Sequence, residues 1–326
     1  MENKQTILIT GGNSGLGYEC AKTLAKEKRG HLVIASRNKK RVEQAVERLK
    51  LETGYDSIDG MALDLGSFES VRGFATALKS KGWPPLSSIV CNAGLSPAKN
   101  SKTVDGIDLI FGVNHLGHYL LVHLLTEQLV DSARVIFVSS GTHLPEHKLA
   151  RRMGVPVPKY HTAVSLAYPE QAPSDERIES PPQRYSTSKL CNVLATYEFD
   201  RQFKKQGMTV SVFALDPGLM PGTGLARDFP KVVRTIAFGI IGFLGRWVDG
   251  IRRVEDSGQH LARLVTDEGL NGRSALYFDG LQQVRSSADS YNIQKAADLW
   301  ETSARLVALK PEESRLWSEP GANQAA

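Results

Sequence analysis

Short apolar runs recur along the chain: ILIT (7–10), HLVIAS (31–36), GMALDL (60–65), SSIVCNAG (87–94), ARVIFVSS (133–140), TVSVFALDPG (209–218) and SALYFD (274–279). Between most of them lie segments of helical period, among them YECAKTLAKE, RVEQAVERLK, FESVRGFATALKS and YLLVHLLTEQL. Strands that alternate with helices imply a parallel sheet covered on both faces, because every parallel crossover needs a connecting element. The expected fold class is α/β, a doubly wound parallel sheet with helices on both faces.

The 326 residues are read as one domain over 1–310 followed by a C-terminal tail over 311–326. No solenoid-period repeat or low-complexity tract interrupts it. Alternation breaks at two insertions, 141–184 and 219–252, each following a strand. Both therefore belong at the carboxyl edge of the sheet, where open α/β folds bind ligands. An apolar fraction of 41% and a charged fraction of 23% fit a soluble globular chain with a sizeable core. A net charge of +5 on 40 basic and 35 acidic residues is too small an excess to indicate nucleic acid.

Cys20, Cys91 and Cys191 lie far apart without metal-ligand spacing, which points to a reduced, cytoplasmic setting and no metal. No leader pattern opens the chain, and no segment reaches about 20 uninterrupted apolar residues. The nearest approach, VVRTIAFGIIGFLGRWV (232–248), is broken by Arg234 and Arg246. With Phe229, Phe238, Phe243, Leu244 and Trp247 nearby, it reads as cover for a bulky hydrophobic substrate, or as a peripheral membrane contact. Sequence does not separate a monomer from a homo-oligomer.

After the first strand comes Thr10-Gly11-Gly12-Asn13-Ser14-Gly15-Leu16-Gly17, followed by a helix with an apolar stripe of Leu16, Cys20 and Leu24. Glycines at 11, 15 and 17 permit a tight turn, close approach of backbone N–H groups to a pyrophosphate, and helix packing on the strand. A Rossmann-type dinucleotide site follows, with Gly11, Asn13, Ser14, Gly15, Leu16 and Gly17 as candidate contacts. The second strand ends Ala35-Ser36-Arg37-Asn38-Lys39-Lys40-Arg41, with no acid to accept from a ribose. Ser36 and Arg37, with Lys40 or Arg41, suit a 2′-phosphate and favour NADP(H). The plainer alternative is an Asn38 helix cap among solvated cations. Asp64, followed by Leu65, can accept from an adenine amino group or share a helix cap with Ser67.

These motifs together resemble the short-chain dehydrogenase/reductase family: TGxxxGxG in the glycine loop, NAG at Asn92-Ala93-Gly94, Asn114 in a helix, Ser140 ending a strand, YxxxK at Tyr185 and Lys189, and Asp216-Pro217-Gly218 at the PG turn. The likeness covers about residues 4–310. Within the family, Asn114-His115-Leu116-Gly117-His118-Tyr119 and Tyr185 to Asn192 are similar to the branch of light-dependent protochlorophyllide reductases, retinol-dehydrogenase-like enzymes and bacterial reductases akin to daunorubicin C-13 ketoreductases.

The resemblance implies four catalytic residues. Tyr185 would donate the proton to a developing alkoxide. Lys189, one helical turn on, would lower the phenol from its usual pKa of about 10 and bond the nicotinamide ribose. Ser140, in preference to Ser139, would hold the substrate oxygen, and the Asn114 side chain would keep open a water route to Lys189. Asn92, Ala93 and Gly94 would run along the adenosine ribose. Pro217 and Gly218 would turn past the nicotinamide, and Thr223 would reach the pyrophosphate. His143, Tyr160 and Tyr168 are candidate substrate contacts, and Cys191 joins them through the protochlorophyllide likeness. The expected function is an NADPH-dependent reductase or alcohol dehydrogenase acting on a hydrophobic carbonyl. Two alternatives remain: light-driven reduction of a porphyrin-like double bond, and a non-catalytic NADP(H) sensor.

Overall fold

The protein is described as a computed structural model covering residues 5–220 and 250–317. Eight strands form one sheet: β1 (Thr6–Thr10), β2 (His31–Ser36), β3 (Ile58–Ala62), β4 (Leu86–Cys91), β5 (Leu129–Val138), β6 (Ser211–Asp216), β7 (Leu276–Asp279) and β8 (Gln282–Val284). Their spatial order is β3-β2-β1-β4-β5-β6-β7-β8. All neighbours are parallel except β7 and β8, which run antiparallel. The principal helices are α1 (Gly15–Lys26), α2 (Lys39–Thr53), α3 (Phe68–Ser80), α4 (Leu109–Gln128), α5 (Pro181–Lys205), α6 (Val254–Thr266) and α7 (Ile293–Leu306).

The central strands are continuous apolar runs because helices cover both of their faces; every residue of β1 and β6 is buried. Two large apolar clusters result, one on each face of the sheet. The expected doubly wound α/β class is the observed one. Chain direction across the sheet reverses at β1, which pairs with β2 on one side and β4 on the other. That switch point opens a crevice at the carboxyl ends of β1 and β4, directly at the glycine loop and at Asn92.

Local sequence sets the helix starts. Asn38, Ser67 and Ser180 each accept an N–H from the first turn of the helix they precede, and α5 adds proline in its first turn. α4 is not uniform: Gly112–Leu116 adopts π-helical geometry between α-helical turns, and Asn114 lies within it. The start of α5 is tied to that of α4 by a buried ion pair, Arg184 Nη1 to Asp108 Oδ2 at 2.6 Å.

Several expectations shift. The third strand is Ile58–Ala62, two residues earlier than expected, because Asp64 already belongs to a turn in which its Oδ1 accepts the Gly66 N–H at 2.9 Å. The short edge strand β8 has no apolar run and escaped pattern reading. Residues 311–317, read as tail, begin on the body: Glu313 pairs with Arg72 at 2.7 Å, and Leu316 is buried. α4 is long and apolar enough to cross a membrane by length and composition, yet 94% of its apolar window is buried inside the fold. It is a core helix. Insertion 141–184 carries two short helices, Lys148–Arg152 and Ala163–Ala167. Most of the second insertion, including 232–248 and Thr223, lies outside the described residues.

Candidate active site

One wall of the crevice is main chain. Gly11 and Gly15 have φ of +68° and +58°, a region in which side chains are strained. A Cβ on Gly17 would stand 2.5 Å from Asn92 Nδ2 and 2.7 Å from Gly11 O, so glycine is required for α1 to cross the ends of β1 and β4. Ser14 occupies the N-cap position of α1 without making a side-chain cap, which leaves the first-turn N–H groups facing the crevice. Asn13 is half-buried beside it, and Leu16 turns into the core.

The Asn92 side chain is engaged within the fold. Its Nδ2 donates to Thr10 O at 2.8 Å, while Thr10 Oγ1 accepts the N–H groups of Asn92 and Ala93 at 2.9 and 3.0 Å. Asn92 thus staples β4 to β1 and fixes the glycine loop. His118 extends the staple. Its Nε2 lies 2.9 Å from Thr10 Oγ1, and its Nδ1 lies 3.3 Å from Asn114 O. Burial pushes this imidazole down to about 3, so it is neutral and spans loop and helix as one donor and one acceptor.

At the end of β2, Ser36 is half-buried and Arg37 exposed. Asn38 caps α2 through Arg41 N at 3.0 Å, as the plainer reading had it, while Arg37 stands outside that cap. Asp64 spends one oxygen on the Gly66 turn, Ser67 caps α3, and Leu65 is buried beneath α4.

The other wall is built from side chains. α5 brings Tyr185 and Lys189 against the end of β5. The Ser140 side chain lies close enough to the Tyr185 hydroxyl to favour its ionised form. Ser139 points the other way, donating to Lys189 O at 2.9 Å beneath the helix, which separates the two serines. The Lys189 Nζ is buried, donates to Val138 O at 3.0 Å, and lies 5.4 Å from the Tyr185 ring centroid. Gly94 lies opposite: a Cβ there would be 3.5 Å from Lys189 Nζ and 3.4 Å from Asn114 Oδ1.

Asn114 is fully buried and its amide is engaged. Oδ1 accepts Leu95 N at 2.8 Å, and Nδ2 donates to Leu95 O and Ser188 Oγ, both at 3.0 Å. This side chain clamps the segment after β4 to α5. The π turn is what aims it there.

Burial pushes Lys189 down to about 8, with the Asp216 carboxylate drawing it back up. Tyr185 is pushed above its ordinary value by burial and then by Asp216, with the Ser140 hydrogen bond opposing. Pro217 is buried. Gly218, at φ +80°, donates its N–H to Asp216 Oδ1 at 2.9 Å, and a Cβ on it would meet Arg252 Nη1 at 2.7 Å.

Other sequence candidates belong to the scaffold. His143 is buried, with Nδ1 2.7 Å from Ser140 O and Nε2 accepting Ser287 N at 3.3 Å, so it braces the serine backbone. Tyr160 is buried and donates to Asp298 Oδ2 at 2.7 Å, and Tyr168 packs half-buried against the core. Cys191 is fully buried, its thiol pushed up by burial, and cannot serve as a substrate-side group. Sequence reading passed over Asp216, His118 and the bracing role of His143. The acid directly before Pro217-Gly218 was the available signal for the first.

A family model described as short chain dehydrogenase matches residues 5–148. Retinol dehydrogenase 13 of Homo sapiens is 31% identical over 313 residues, covering 95% of this chain and 87% of that protein. Protochlorophyllide reductase of Avena sativa is 31% identical over 325 residues, covering 93% of this chain and 99% of that protein. Among solved structures, a short chain dehydrogenase from Escherichia coli CFT073 complexed with NADPH superposes with a TM-score of 0.57 at 18% identity, covering 86% of this chain and all of that one, a likeness of fold.

Proposed function

The chain belongs to the short-chain dehydrogenase family, and we propose that it is an NADPH-dependent oxidoreductase that interconverts a carbonyl and an alcohol on a bulky hydrophobic substrate. The observation that carries this reading is the placement of Tyr185 beside Ser140, whose side chain favours the ionised phenol, with Lys189 buried next to it and Gly94 of the opposite wall close to the Lys189 ammonium. The residues suit the cofactor. α1 offers uncapped N–H groups behind Gly11 and Gly15, and β2 ends in exposed Arg37 with no acid before it. When bound, NADPH supplies the hydride.

This chain's own residues handle the proton and the developing charge. Ser140 holds the substrate oxygen by its hydroxyl, beside the Tyr185 O–H. As charge develops on that oxygen, Tyr185 transfers its proton to it, and the resulting phenolate is stabilised by the Lys189 ammonium. Below about pH 8 Lys189 retains its charge in the free protein, which matches that duty. Arg37 and Ser36 would hold the 2′-phosphate, and the first turn of α1 would hold the pyrophosphate.

A second reading is supported by the likeness to the Avena sativa protochlorophyllide reductase over 99% of that protein's length. It is light-driven reduction of a conjugated ring double bond, with Tyr185 again as proton donor. One experiment separates the readings: purified protein and NADPH are given hydrophobic ketones, aldehydes and protochlorophyllide, in darkness and under illumination. Ketone-dependent loss of NADPH absorbance in the dark is the expected result. A pigment change that needs light, without ketone turnover, replaces the first reading with the second. NADPH binding with neither overturns both in favour of a sensor.

A further inference from the structure

Among the described residues, the one acid whose charge reaches both Tyr185 and Lys189 is Asp216, and neither the glycine loop nor the four expected catalytic residues account for it. It ends β6 and is 4% exposed. β6 lies beside β5 in parallel register, Val138 opposite Leu215, and Ser139 N donates to Leu215 O at 2.7 Å. Asp216 therefore sits one strand across from the Ser139–Ser140 step. Its Oδ1 is held by Gly218 N–H, and its Oδ2 points at Gly141. A Cβ on Gly141 would stand 2.6 Å from Asp216 Oδ2 and 2.5 Å from His147 Nε2. The missing side chain is the space that lets a carboxylate and an imidazole reach the backbone next to Ser140.

We propose that Asp216 is a positioning residue whose carboxylate, lodged beside the Ser140–Gly141 step, keeps the proton on the Tyr185–Lys189 pair and so sets the alkaline edge of carbonyl reduction. This rests on the oxidoreductase reading above. The sign follows from charge alone. A carboxylate near a phenol disfavours the phenolate, and near an ammonium it favours the ammonium. Both effects hold the proton in place, so the prediction keeps its sign whichever of the two groups limits the rate.

The groups facing Asp216 do not cancel it. From α5 come Tyr185 and Lys189, from β7 come Tyr277 and Asp279, His147 faces it from the segment after β5, and Arg252 from the segment before α6. Arg252 is paired elsewhere, Nη2 to Asp279 Oδ1 at 2.6 Å. His147 accepts Ala150 N–H on Nδ1 at 3.2 Å, so its neutral form carries the proton on Nε2, the nitrogen beside Gly141.

The test is Asp216→Asn, which keeps shape and an acceptor for Gly218 N–H while removing the charge. In the pH profile of kcat/KM for ketone reduction the alkaline limb moves down by about one pH unit. A lower rate with an unmoved limb indicates a merely structural role and overturns the proposal. Asp279→Asn frees Arg252 to offset Asp216 and gives a smaller shift of the same sign; an upward shift is equally fatal.

A readout independent of turnover is lysine-selective 13C NMR of the unliganded protein, with the Lys189 signal identified by its loss in Lys189→Met. Its midpoint, about 8 in the parent, falls in Asp216→Asn. A midpoint that stays put overturns the inference. If the parent reduces no ketone at all, the oxidoreductase reading fails while this titration still decides the role of Asp216.

Discussion

At the carboxyl ends of β1 and β4 the crevice is lined by main chain and by side chains that are missing: Gly11, Gly15 and Gly17, stapled through Asn92 and Thr10. At the ends of β5 and β6 it is lined by ionisable groups, half-buried Tyr185 and buried Lys189 and Asp216, spaced by Ser140 and Gly141. The first wall works by shape, and its requirements are local, within a few residues of one turn. The second works by charge in a desolvated setting, where each group is tuned by others up to three elements away. The two walls should therefore fail separately and by different measures.

The largest expected separation comes from Tyr185→Phe. The ring and its packing stay, and only the hydroxyl is lost. Turnover falls by about 10²–10⁴-fold, the usual worth of a positioned proton donor, while NADPH affinity in a fluorescence titration stays at the parent value. A parallel loss of affinity breaks the comparison, because the catalytic wall would then be holding the cofactor too.

Gly17→Ala attacks the other wall. The added Cβ would lie 2.5 Å from Asn92 Nδ2 and 2.7 Å from a main-chain oxygen that cannot move aside cheaply. The cost is about 1–3 kcal/mol, read as a lower Tm and weaker NADPH binding. A Gly17→Ala protein that binds NADPH like the parent shows that the loop gives way, and the shape argument fails.

The same contrast explains what could be read from sequence. Alternation of apolar runs gave the sheet class because two-sided burial leaves its mark on every central strand; β8, exposed on one edge, left none. Glycine spacing revealed the dinucleotide wall because steric exclusion acts between residues close in the chain. The catalytic set emerged only through family likeness. Even then its electrostatics stayed hidden: the Asp216 effect on Tyr185 depends on parallel register between β5 and β6, and on Gly141 leaving a gap. The clamp made by the Asn114 amide was not legible either, because the π turn that points it at Leu95 and Ser188 has no distinctive sequence. His143 looked like a loop histidine free to meet substrate; its burial follows from contacts with Ser287, far along the chain.

Arg37→Ala probes the rim of the cofactor wall. Arg37 is exposed, so solvent screens much of its attraction for a 2′-phosphate and the loss is modest, roughly tenfold in NADPH affinity. NADH, without that phosphate, binds as before. An equal change for both cofactors removes Arg37 from phosphate recognition and weakens the NADPH assignment.

The smallest effect, and the finest test of the charged wall, lies in the neighbouring serines. Ser139 is 2% exposed and donates to the Lys189 carbonyl, already a helix acceptor. Ser139→Ala removes a donor without stranding the acceptor, which costs about 1 kcal/mol of stability. The side chains of Lys189 and Tyr185 keep their places, so turnover changes little. Ser140→Ala, one residue on, is expected to do the reverse, sparing Tm and removing the hydroxyl that acts on Tyr185. Paired Tm and kcat measurements on the two variants check this. Should Ser139→Ala lose turnover while Ser140→Ala keeps it, the strand end presents the other serine to substrate, and the catalytic wall is offset by one residue from the arrangement described.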